Sequence, residues 1–356
     1  MGPILPAFIA FGACAALIVL LWPLCLRTGH VDEPGGRKKH AVSTPLSGGI
    51  AIALSILGAG LFLVPSFTFV GFTVGVGILL LLGAMDDRRH VSALVRLSMQ
   101  TIAVAFGMCL IGGVQIEQLG NLGGWGQITL YHWSVAFTIF GAVGVINAVN
   151  MIDGMDGLAG GFAAVLMAVL LCVAALQNSG PAVLLVLSIG SVLGFLLFNL
   201  RMPWQKRARV FLGDAGSLVL GFILVWFAID ASQPPGAIVH PMAVVWLFGL
   251  PLCDTVYLMT TRLMKRQSPF AADRFHFHHL LQRRGLTPGY ALYAWLFTAL
   301  CFMAVGVLGS LAGVADYWLF YGFLAVFAAY SLTVTALWKQ VPAKRLNKKA
   351  RRLATV

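Results

Sequence analysis

Long uncharged apolar stretches alternate along the chain with short segments that hold most of its charged residues. Crossing the hydrocarbon core of a bilayer takes a helix of about 20 apolar residues. Eleven stretches approach or exceed that length, near 4–26, 46–64, 67–85, 97–113, 131–148, 158–177, 182–199, 212–230, 241–261, 289–311 and 317–338. The pattern predicts an all-α polytopic integral membrane protein with about eleven transmembrane helices.

The basic residues predict how the chain is oriented in the membrane. All 24 Lys and Arg residues fall in five segments, 27–39, 88–96, 201–209, 262–284 and 339–352. Cytoplasmic loops are enriched in Lys and Arg, so we assign all five segments to the cytoplasmic side. An odd number of spans then places the N-terminus outside and the C-terminus in the cytoplasm. Alternation also places 147–157 on the inner side.

These assignments predict a simple domain organisation. We expect a single transmembrane catalytic domain over 1–338 and a basic cytoplasmic tail over 339–356. The active-site loops are expected at 27–45, 86–96, 147–157, 200–214 and 262–288. No basic segment precedes the first apolar stretch, so we do not expect a cleaved signal peptide.

Composition supports a membrane protein. Hydrophobic residues make up 59% and charged residues 10%, and the mean hydropathy is +0.89. The net charge of +12 does not indicate nucleic acid binding, because the basic residues adjoin apolar spans. Attraction to lipid headgroups and phosphorylated substrates explains it better. The six cysteines show no C-x-x-C spacing, and we interpret them as small buried hydrophobic residues rather than disulfide or zinc-site residues.

The acidic residues concentrate on the predicted inner face. Nine of the twelve lie there: Asp32, Glu33, Asp86, Asp87, Asp153, Asp156, Asp214, Asp254 and Asp273. All lie at or near span ends except Asp254, which lies within a span. Ionisable residues near hydrocarbon are costly and usually functional. Several carboxylates among Arg-rich loops indicate a site for a divalent cation and phosphates.

The segment N-A-V-N-M-I-D-G-M-D-G-L-A carries four oxygen-bearing side chains at a spacing of three. They are Asn147, Asn150, Asp153 and Asp156. Hard oxygen ligands suit Mg²⁺, which binds few protein groups together with substrate phosphates. Gly154 loosens the turn and lets the backbone approach a ligand. The alternative is an Asn-rich helix end in which Asp156 is the N-cap of the next span.

Two further acidic motifs lie at span ends. Asp86 and Asp87 end the third span, where the helix dipole opposes negative charge, so a positive partner is expected. Pairing with the adjacent Arg88 and Arg89 is one interpretation, and proximity to Mg²⁺-bound phosphate is the other. Asp214, in V-F-L-G-D-A-G-S, would alone be interpreted as an N-cap. Helix N-termini also favour phosphate, and its companion motifs make Asp214 a candidate metal ligand.

A histidine-rich segment, S-P-F-A-A-D-R-F-H-F-H-H-L-L, completes the set of motifs. Its candidate binding residues are Arg274, His276, His278 and His279. Zinc is an alternative that the absence of a nearby cysteine disfavours. Binding of a pyrophosphate or sugar by these imidazole and guanidinium groups fits the other motifs better.

Together these motifs resemble the polyprenyl-phosphate N-acetylhexosamine-1-phosphate transferases. The segment G-R-K-K-H-A-V-S-T-P-L-S-G-G is a further signature, and the resemblance runs from Arg27 to Leu281. The histidine segment and the eleven spans resemble the branch that acts with UDP-GlcNAc. The resemblance implies that undecaprenyl phosphate attacks the β-phosphorus of a UDP-N-acetylhexosamine and releases UMP, with Mg²⁺ as cofactor and Mn²⁺ as a substitute.

The resemblance also implies residue roles. Asp214 and Asn150 would be Mg²⁺ ligands. Asp86 and Asp87 would lie beside the lipid phosphate, and one of them would accept its residual proton. Asp153 and Asp156 would orient the metal site and the nucleotide. Phe211 and Gly154 would border the uracil. The substrate contacts would come from Asn147, Arg274, His276, His278 and His279. Arg96 is a weaker phosphate-binding candidate, because Arg88 and Arg89 directly follow the Asp pair. For Asp254 a structural hydrogen-bonding role is favoured over catalysis.

Other functions stay open from the sequence. The same chemistry with another UDP-N-acetyl sugar or UDP-MurNAc-pentapeptide is the main alternative. An organic-anion transporter is a distant one, since transport sites lie near the membrane midplane. A catalytically silent scaffold would not need all four motifs. The expected partners are membrane lipids and the two substrates, with no nucleic acid, and a homodimer is compatible. The expected location is the bacterial inner membrane, with the active site facing the cytoplasm.

Overall fold

The computed structural model describes residues 4–32, 43–179, 182–202, 204–268 and 275–341. Within these ranges the helices are α1 Ile4–Thr28, α2 Gly48–Leu63, α3 Phe67–Arg88, α4 Ala93–Ile102, α5 Ser134–Ile152, α6 Leu158–Leu176, α7 Val183–Asn199, α8 Gly213–Asp230, α9 Pro241–Leu247, α10 Gly249–Met264, α11 Phe277–Arg283, α12 Pro288–Leu311 and α13 Asp316–Lys339. A π-helix, Ala103–Ile111, continues α4, and a 3-10 turn, Tyr131–Trp133, precedes α5. Two antiparallel pairs join β1 Val31–Asp32 to β2 Thr44–Pro45 and β3 Gln118–Gly120 to β4 Ile128–Thr129.

The helices are those of a polytopic membrane protein, as predicted. In the described part of the chain, eight helical segments are long and apolar enough to cross a membrane, and the bent pair α9–α10 would make a ninth. Two further apolar helices, α2 and α7, have 16 and 17 residues. Each predicted apolar stretch is helical. Among the described residues, the prediction omitted the two short strand pairs and the short helix α11, which lies in the predicted loop 262–288.

The predicted ninth span is not one helix. A bend of 71° separates α9 from α10. Pro251 lies four residues after Leu247, the last residue of α9, and a proline cannot donate the helical hydrogen bond to that carbonyl. The prediction of a continuous helix over 241–261 was therefore wrong, although Pro251 was a visible signal.

Helix α8 forms the centre of the molecule and packs against α2, α3, α5 and α6. Every residue from Ala215 to Ile229 is buried. Glycines let the neighbouring backbones approach its first turn. A Cβ on Gly83 of α3 would lie 2.2 Å from the Cα of Ala215, and a Cβ on Gly49 of α2 would lie 2.2 Å from the Cα of Gly216. Small residues at helix crossings permit such close packing in membranes. The start of α8 is therefore held between α2 and α3.

The six cysteines are all free thiols. Four are buried, as expected, but Cys172 on α6 and Cys301 on α12 are exposed. The expectation of burial is wrong for these two, which lie on apolar outer surfaces where a thiol needs no polar partner.

Candidate active site

A carboxylate from α3 caps the start of α8. Asp87 Oδ1 accepts a hydrogen bond from the backbone N–H of Asp214 (2.7 Å), and Oδ2 accepts one from Ala215 (3.3 Å). A Cβ on Gly213, where φ is +74°, would lie 2.6 Å from Asp87 Oδ2, so only glycine leaves room for this contact. Asp214 makes no capping bond to its own helix, and the N-cap interpretation of that residue is wrong.

An amide from α5 joins the same group. Asn150 Nδ2 donates to Asp214 Oδ1 (2.7 Å) and to Ser217 Oγ (2.8 Å). Asn150 lies in the last turn of α5, and both partners lie in the first turns of α8. The two predicted metal ligands are thus in direct contact, although 64 positions separate them in the chain.

Arg96 on α4 supplies the positive charge. Its Nη1 lies 3.1 Å from Asp86 Oδ2, and its Nη2 lies 3.7 Å from Asp214 Oδ1 and donates to Asn150 Oδ1. Asp86 is nearly buried, and its Oδ1 accepts from the backbone N–H of Val91 (3.0 Å). Arg96 therefore links α3, α5 and α8, a more central position than its sequence context indicated.

A second polar pair lies one turn from Arg96. Asn147 Nδ2 donates to Gln100 Oε1 (2.7 Å), and Gln100 Nε2 donates to Asn147 Oδ1 (3.4 Å). Gln100 is completely buried on α4. The two pairs, Arg96–Asn150 and Gln100–Asn147, fix α4 against α5. Asn147 thus takes part in this packing contact, and its predicted contact with the substrate stays a prediction.

Asp156 holds a neighbouring loop in place. Its Oδ2 accepts from the backbone N–H of Ala208 (3.0 Å) and lies 2.9 Å from Arg201 Nη2. Gly157, with φ of +80°, occupies the N-cap position of α6, and its N–H donates to Asn199 Oδ1 (2.8 Å). The interpretation of Asp156 as the N-cap of α6 is therefore wrong.

Asp153 lies directly after α5, beside the other acids. Burial, followed by the charges of Asp214 and two further aspartates, raises the pKa of Asp153 to about 8. The surrounding site carries five aspartates, Asp86, Asp87, Asp153, Asp156 and Asp214. The described arginines paired with them are Arg96 and Arg201. With Asp153 largely protonated at neutral pH, the remaining carboxylates still outnumber these two arginines, and their excess of negative charge favours a bound cation.

The histidines pack against the loop that follows α5. His278 is completely buried, its Nε2 would lie 2.7 Å from a Cβ on Gly154, and neither ring nitrogen has a partner among the described residues. The ring of His278 stacks on that of His276, with centroids 5.5 Å apart and planes at 11°, and lies 4.2 Å from that of His279. Burial lowers the pKa of His278 well below 6.5. Arg274 lies outside the described residues.

Phe211 lies on the chain that leads into α8. Its N–H donates to the carbonyl of Pro45 (2.9 Å), and its own carbonyl accepts from Gly48 at the start of α2 (3.1 Å). Gly154, the other predicted border of the uracil, lies against His278. These bonds place β2 and the start of α2 beside the segment that leads into α8.

Sequence reasoning did not identify several residues that organise the site. Asn199 joins Gly157 to Val210, whose carbonyl accepts from Asn199 Nδ2 (2.8 Å). Gln100 lies four residues after Arg96, a helical spacing that could have marked both as facing α5. For Asn199, its position as the last residue of an apolar helix is the available signal.

The donor set fits a magnesium ion. Asp214, with a side chain 37% exposed, and Asn150 offer oxygen ligands only. Among the described residues, no three His, Cys, Asp or Glu side chains are grouped to hold a metal ion. Mg²⁺ is suited to such a site, because it binds one or two carboxylates and completes its shell with water and substrate phosphates.

Comparison with known proteins gives a consistent result. The model of the family described as glycosyl transferase family 4 matches residues 69–232, which include Asp86, Asn150 and Asp214. Similar proteins of Haemophilus influenzae, Pasteurella multocida and Escherichia coli K12 are each named undecaprenyl-phosphate alpha-N-acetylglucosaminyl 1-phosphate transferase. They are 32%, 30% and 31% identical to this chain and cover 98%, 98% and 92% of it. The matches span 99%, 99% and 89% of those proteins.

Proposed function

Since the chain belongs to glycosyl transferase family 4, we propose that it transfers N-acetylglucosamine 1-phosphate from UDP-N-acetylglucosamine to undecaprenyl phosphate. The products are UMP and undecaprenyl-pyrophosphoryl N-acetylglucosamine. The observation that carries the proposal is the contact of Asp214 with Asn150, Asp87 and Arg96 where four helices end or begin. The near full-length similarity to the named relatives supports the same reaction.

The reaction joins two anions. An oxygen of the lipid phosphate forms a bond to the β-phosphorus of the UDP-sugar as the bond from that phosphorus to the bridging oxygen breaks, and UMP leaves. A phosphate monoester has a second pKa of about 6, so the nucleophile is largely ionised at neutral pH. Relief of repulsion therefore matters more than a strong general base. Arg96 can provide part of this relief, because it lies between Asp86 and Asp214.

We propose Mg²⁺ as the cofactor, with Asp214 and Asn150 as its protein ligands and Mn²⁺ as a substitute. Bound there, the ion would neutralise charge on the pyrophosphate and the developing charge on the leaving phosphate. Asp87 holds the backbone at the start of α8 and so positions the Asp214 side chain. Asp156 and Arg201 hold the loop before α8 in the same region.

We further propose that the site faces the cytoplasm across a bacterial inner membrane. Each of the eleven predicted stretches is helical, and the shorter α2 and α7 would cross beside the longer helices. Eleven crossings place the N-terminus outside and the basic tail inside. One substrate is anchored in lipid and the other is a soluble nucleotide, so a site at helix ends suits both.

The direct experiment is an assay of UMP release by the purified protein. We expect UMP with undecaprenyl phosphate and UDP-N-acetylglucosamine, none after EDTA, and recovery on addition of Mg²⁺ or Mn²⁺. UDP-N-acetylgalactosamine and UDP-MurNAc-pentapeptide test the sugar. Product with one of those two donors alone would contradict the sugar assignment, and no product with any donor would contradict the transferase assignment.

A further inference from the structure

A buried aspartate on the broken helix holds the histidine segment. Asp254 of α10 is completely buried, and its Oδ2 lies 2.8 Å from His276 Nδ1. Its Oδ1 accepts from the backbone N–H of Phe277 (3.0 Å), the first residue of α11, and from the hydroxyl of Tyr330 on α13 (2.9 Å). Three elements therefore meet at one carboxylate.

The bonding pattern limits what Asp254 can do. A buried carboxylate is tolerated only when hydrogen bonds satisfy it, and both oxygens here have partners. The partner at Oδ2 is a ring nitrogen, which can bond to a carboxylate only when it carries a proton. A neutral imidazole held in this geometry carries its proton on Nδ1 and leaves Nε2 as the acceptor.

The orientation of His276 is transmitted toward the active site. Its ring lies almost parallel to that of His278, at 5.5 Å between centroids. His278 in turn lies against Gly154, in the loop between Asp153 and Asp156. A change in the orientation of the His276 ring would therefore alter the packing of His278 against the loop that carries Asp153 and Asp156.

We infer that Asp254, braced by Tyr330, is a positioning residue that fixes the tautomer and orientation of His276 for the transfer reaction. The inference deepens the proposed function and rests on it for its activity measurement. It also assigns a role to α13, which packs on the outside of the molecule and reaches the site through the Tyr330 hydroxyl.

A double-mutant cycle tests whether Asp254 acts through His276. Asp254→Asn keeps the size of the side chain but replaces one of its two acceptor oxygens with an NH2 donor. The backbone N–H of Phe277 and the Tyr330 hydroxyl hold the remaining oxygen, so His276 Nδ1 loses its acceptor. We expect UMP release to fall about 10- to 100-fold, the range found for lost hydrogen-bond partners of metal-binding histidines. In a His276→Gln background the same substitution should cost less than about threefold, because the two losses share one mechanism. If Asp254→Asn lowers the rate by the same factor in the wild type and in the His276→Gln background, the two residues act independently and the inference is overturned.

Matched variants separate positioning from helix docking. Tyr330→Phe removes only one bond to Asp254, so we expect a smaller loss, of several-fold, that also disappears in the His276→Gln background. Tyr257→Phe removes a different hydroxyl contact between α10 and α13, to Thr335 Oγ1 at 3.0 Å, and should retain wild-type activity. If Asp254→Asn does not fold, the Tyr330→Phe cycle decides the question. Equal losses for Tyr330→Phe and Tyr257→Phe would overturn the inference.

The tautomer of His276 can be measured independently of turnover, which separates the positioning role of Asp254 from the proposed transferase activity. In ¹⁵N-histidine-labelled protein, the signals lost in His276→Gln identify His276. We expect its Nδ1 to be protonated in the wild type and the balance to move toward Nε2 in Asp254→Asn. If Asp254→Asn shows this shift but the wild-type protein releases no UMP, the positioning role stands and the proposed function fails. An active wild type with no change would overturn the positioning alone.

Discussion

Arg96 connects the charged side chains of three helices at the residue scale. It contacts Asp86 on α3, Asn150 on α5 and Asp214 on α8. A guanidinium suits this position because its planar fork reaches several oxygens at once, which a lysine ammonium cannot do in the same geometry. The sequence left open whether Arg88, Arg89 or Arg96 serves the acidic pair, and the structure brings Arg96 to Asp86.

Arg96→Ala should therefore lower UMP release by at least about tenfold, since it leaves a nearly buried carboxylate without its cation. Arg96→Lys should recover only part of the rate. Arg89→Ala removes the same charge from an exposed position and is the matched control. Equal losses at positions 89 and 96 would show that net basic charge, rather than this contact, matters.

His278 provides a second test at the residue scale. Burial lowers its pKa well below 6.5, whereas a histidine in the unfolded chain titrates at about 6.5. Below about pH 6.5 the unfolded chain binds a proton that the folded protein does not, so the contribution of His278 makes the stability fall as the pH decreases. Above about pH 6.5 this contribution does not change with pH. His278→Met should flatten the decline in melting temperature between about pH 6.5 and 5. Identical slopes for the two proteins would contradict the buried neutral imidazole.

Part of the site could be predicted from individual residues, and part could not. The spacing of Asn147, Asn150, Asp153 and Asp156 marked a segment that the structure brings to Asp214 through Asn150. Its helical period does not extend past Ile152, where α5 ends, so the aspartates lie in a loop and point to different partners from the amides. Side-chain contacts between distant segments, such as Gly154 against His278, have no local signal.

At the scale of the elements, the site depends on one helix capping another. Asp87, in the last turn of α3, accepts hydrogen bonds at the start of α8. The positive end of the helix dipole also stabilises a negative charge at this position. This contact of Asp87, together with the pairing of Asp86 with Arg96, explains two acids at a helix C-terminus, where they are unfavourable for their own helix. A sequence pattern shows the helix that contains Asp87 but not the helix that it caps.

Asp87→Ala should destabilise the protein by about 1 kcal/mol through the lost cap, in addition to impairing activity. Asp230→Ala is the matched control, because it removes an acid from the opposite end of α8, where the dipole does not favour negative charge. Thermal unfolding in detergent would compare the two. A melting temperature for Asp87→Ala equal to that of Asp230→Ala would contradict the capping role.

At the scale of the whole molecule, hydropathy predicted the helices because each apolar stretch must satisfy its own backbone in lipid. The stretches do not specify which helices become neighbours. That arrangement follows from close contacts such as Gly83 with Ala215 and Gly49 with Gly216, which place α8 at the centre. The orientation of the chain in the membrane is predicted by its basic segments.

A fusion to the C-terminus tests that orientation. Green fluorescent protein at the basic tail should fluoresce, because it folds in the cytoplasm, and alkaline phosphatase at the same position should be inactive. An N-terminal cysteine tag should react with a membrane-impermeant reagent in intact cells. An active C-terminal phosphatase would reverse the proposed orientation and move the aspartates to the outer face.

The most direct test of the central claim is the rate of UMP release by Asp214→Asn at saturating Mg²⁺. The substitution preserves side-chain size at a position 37% exposed but removes the charge that meets Arg96 and would bind the metal. We predict a loss of about 100-fold or more with an unchanged melting temperature. A rate near that of the wild type would contradict the claim that the start of α8 is the reaction centre.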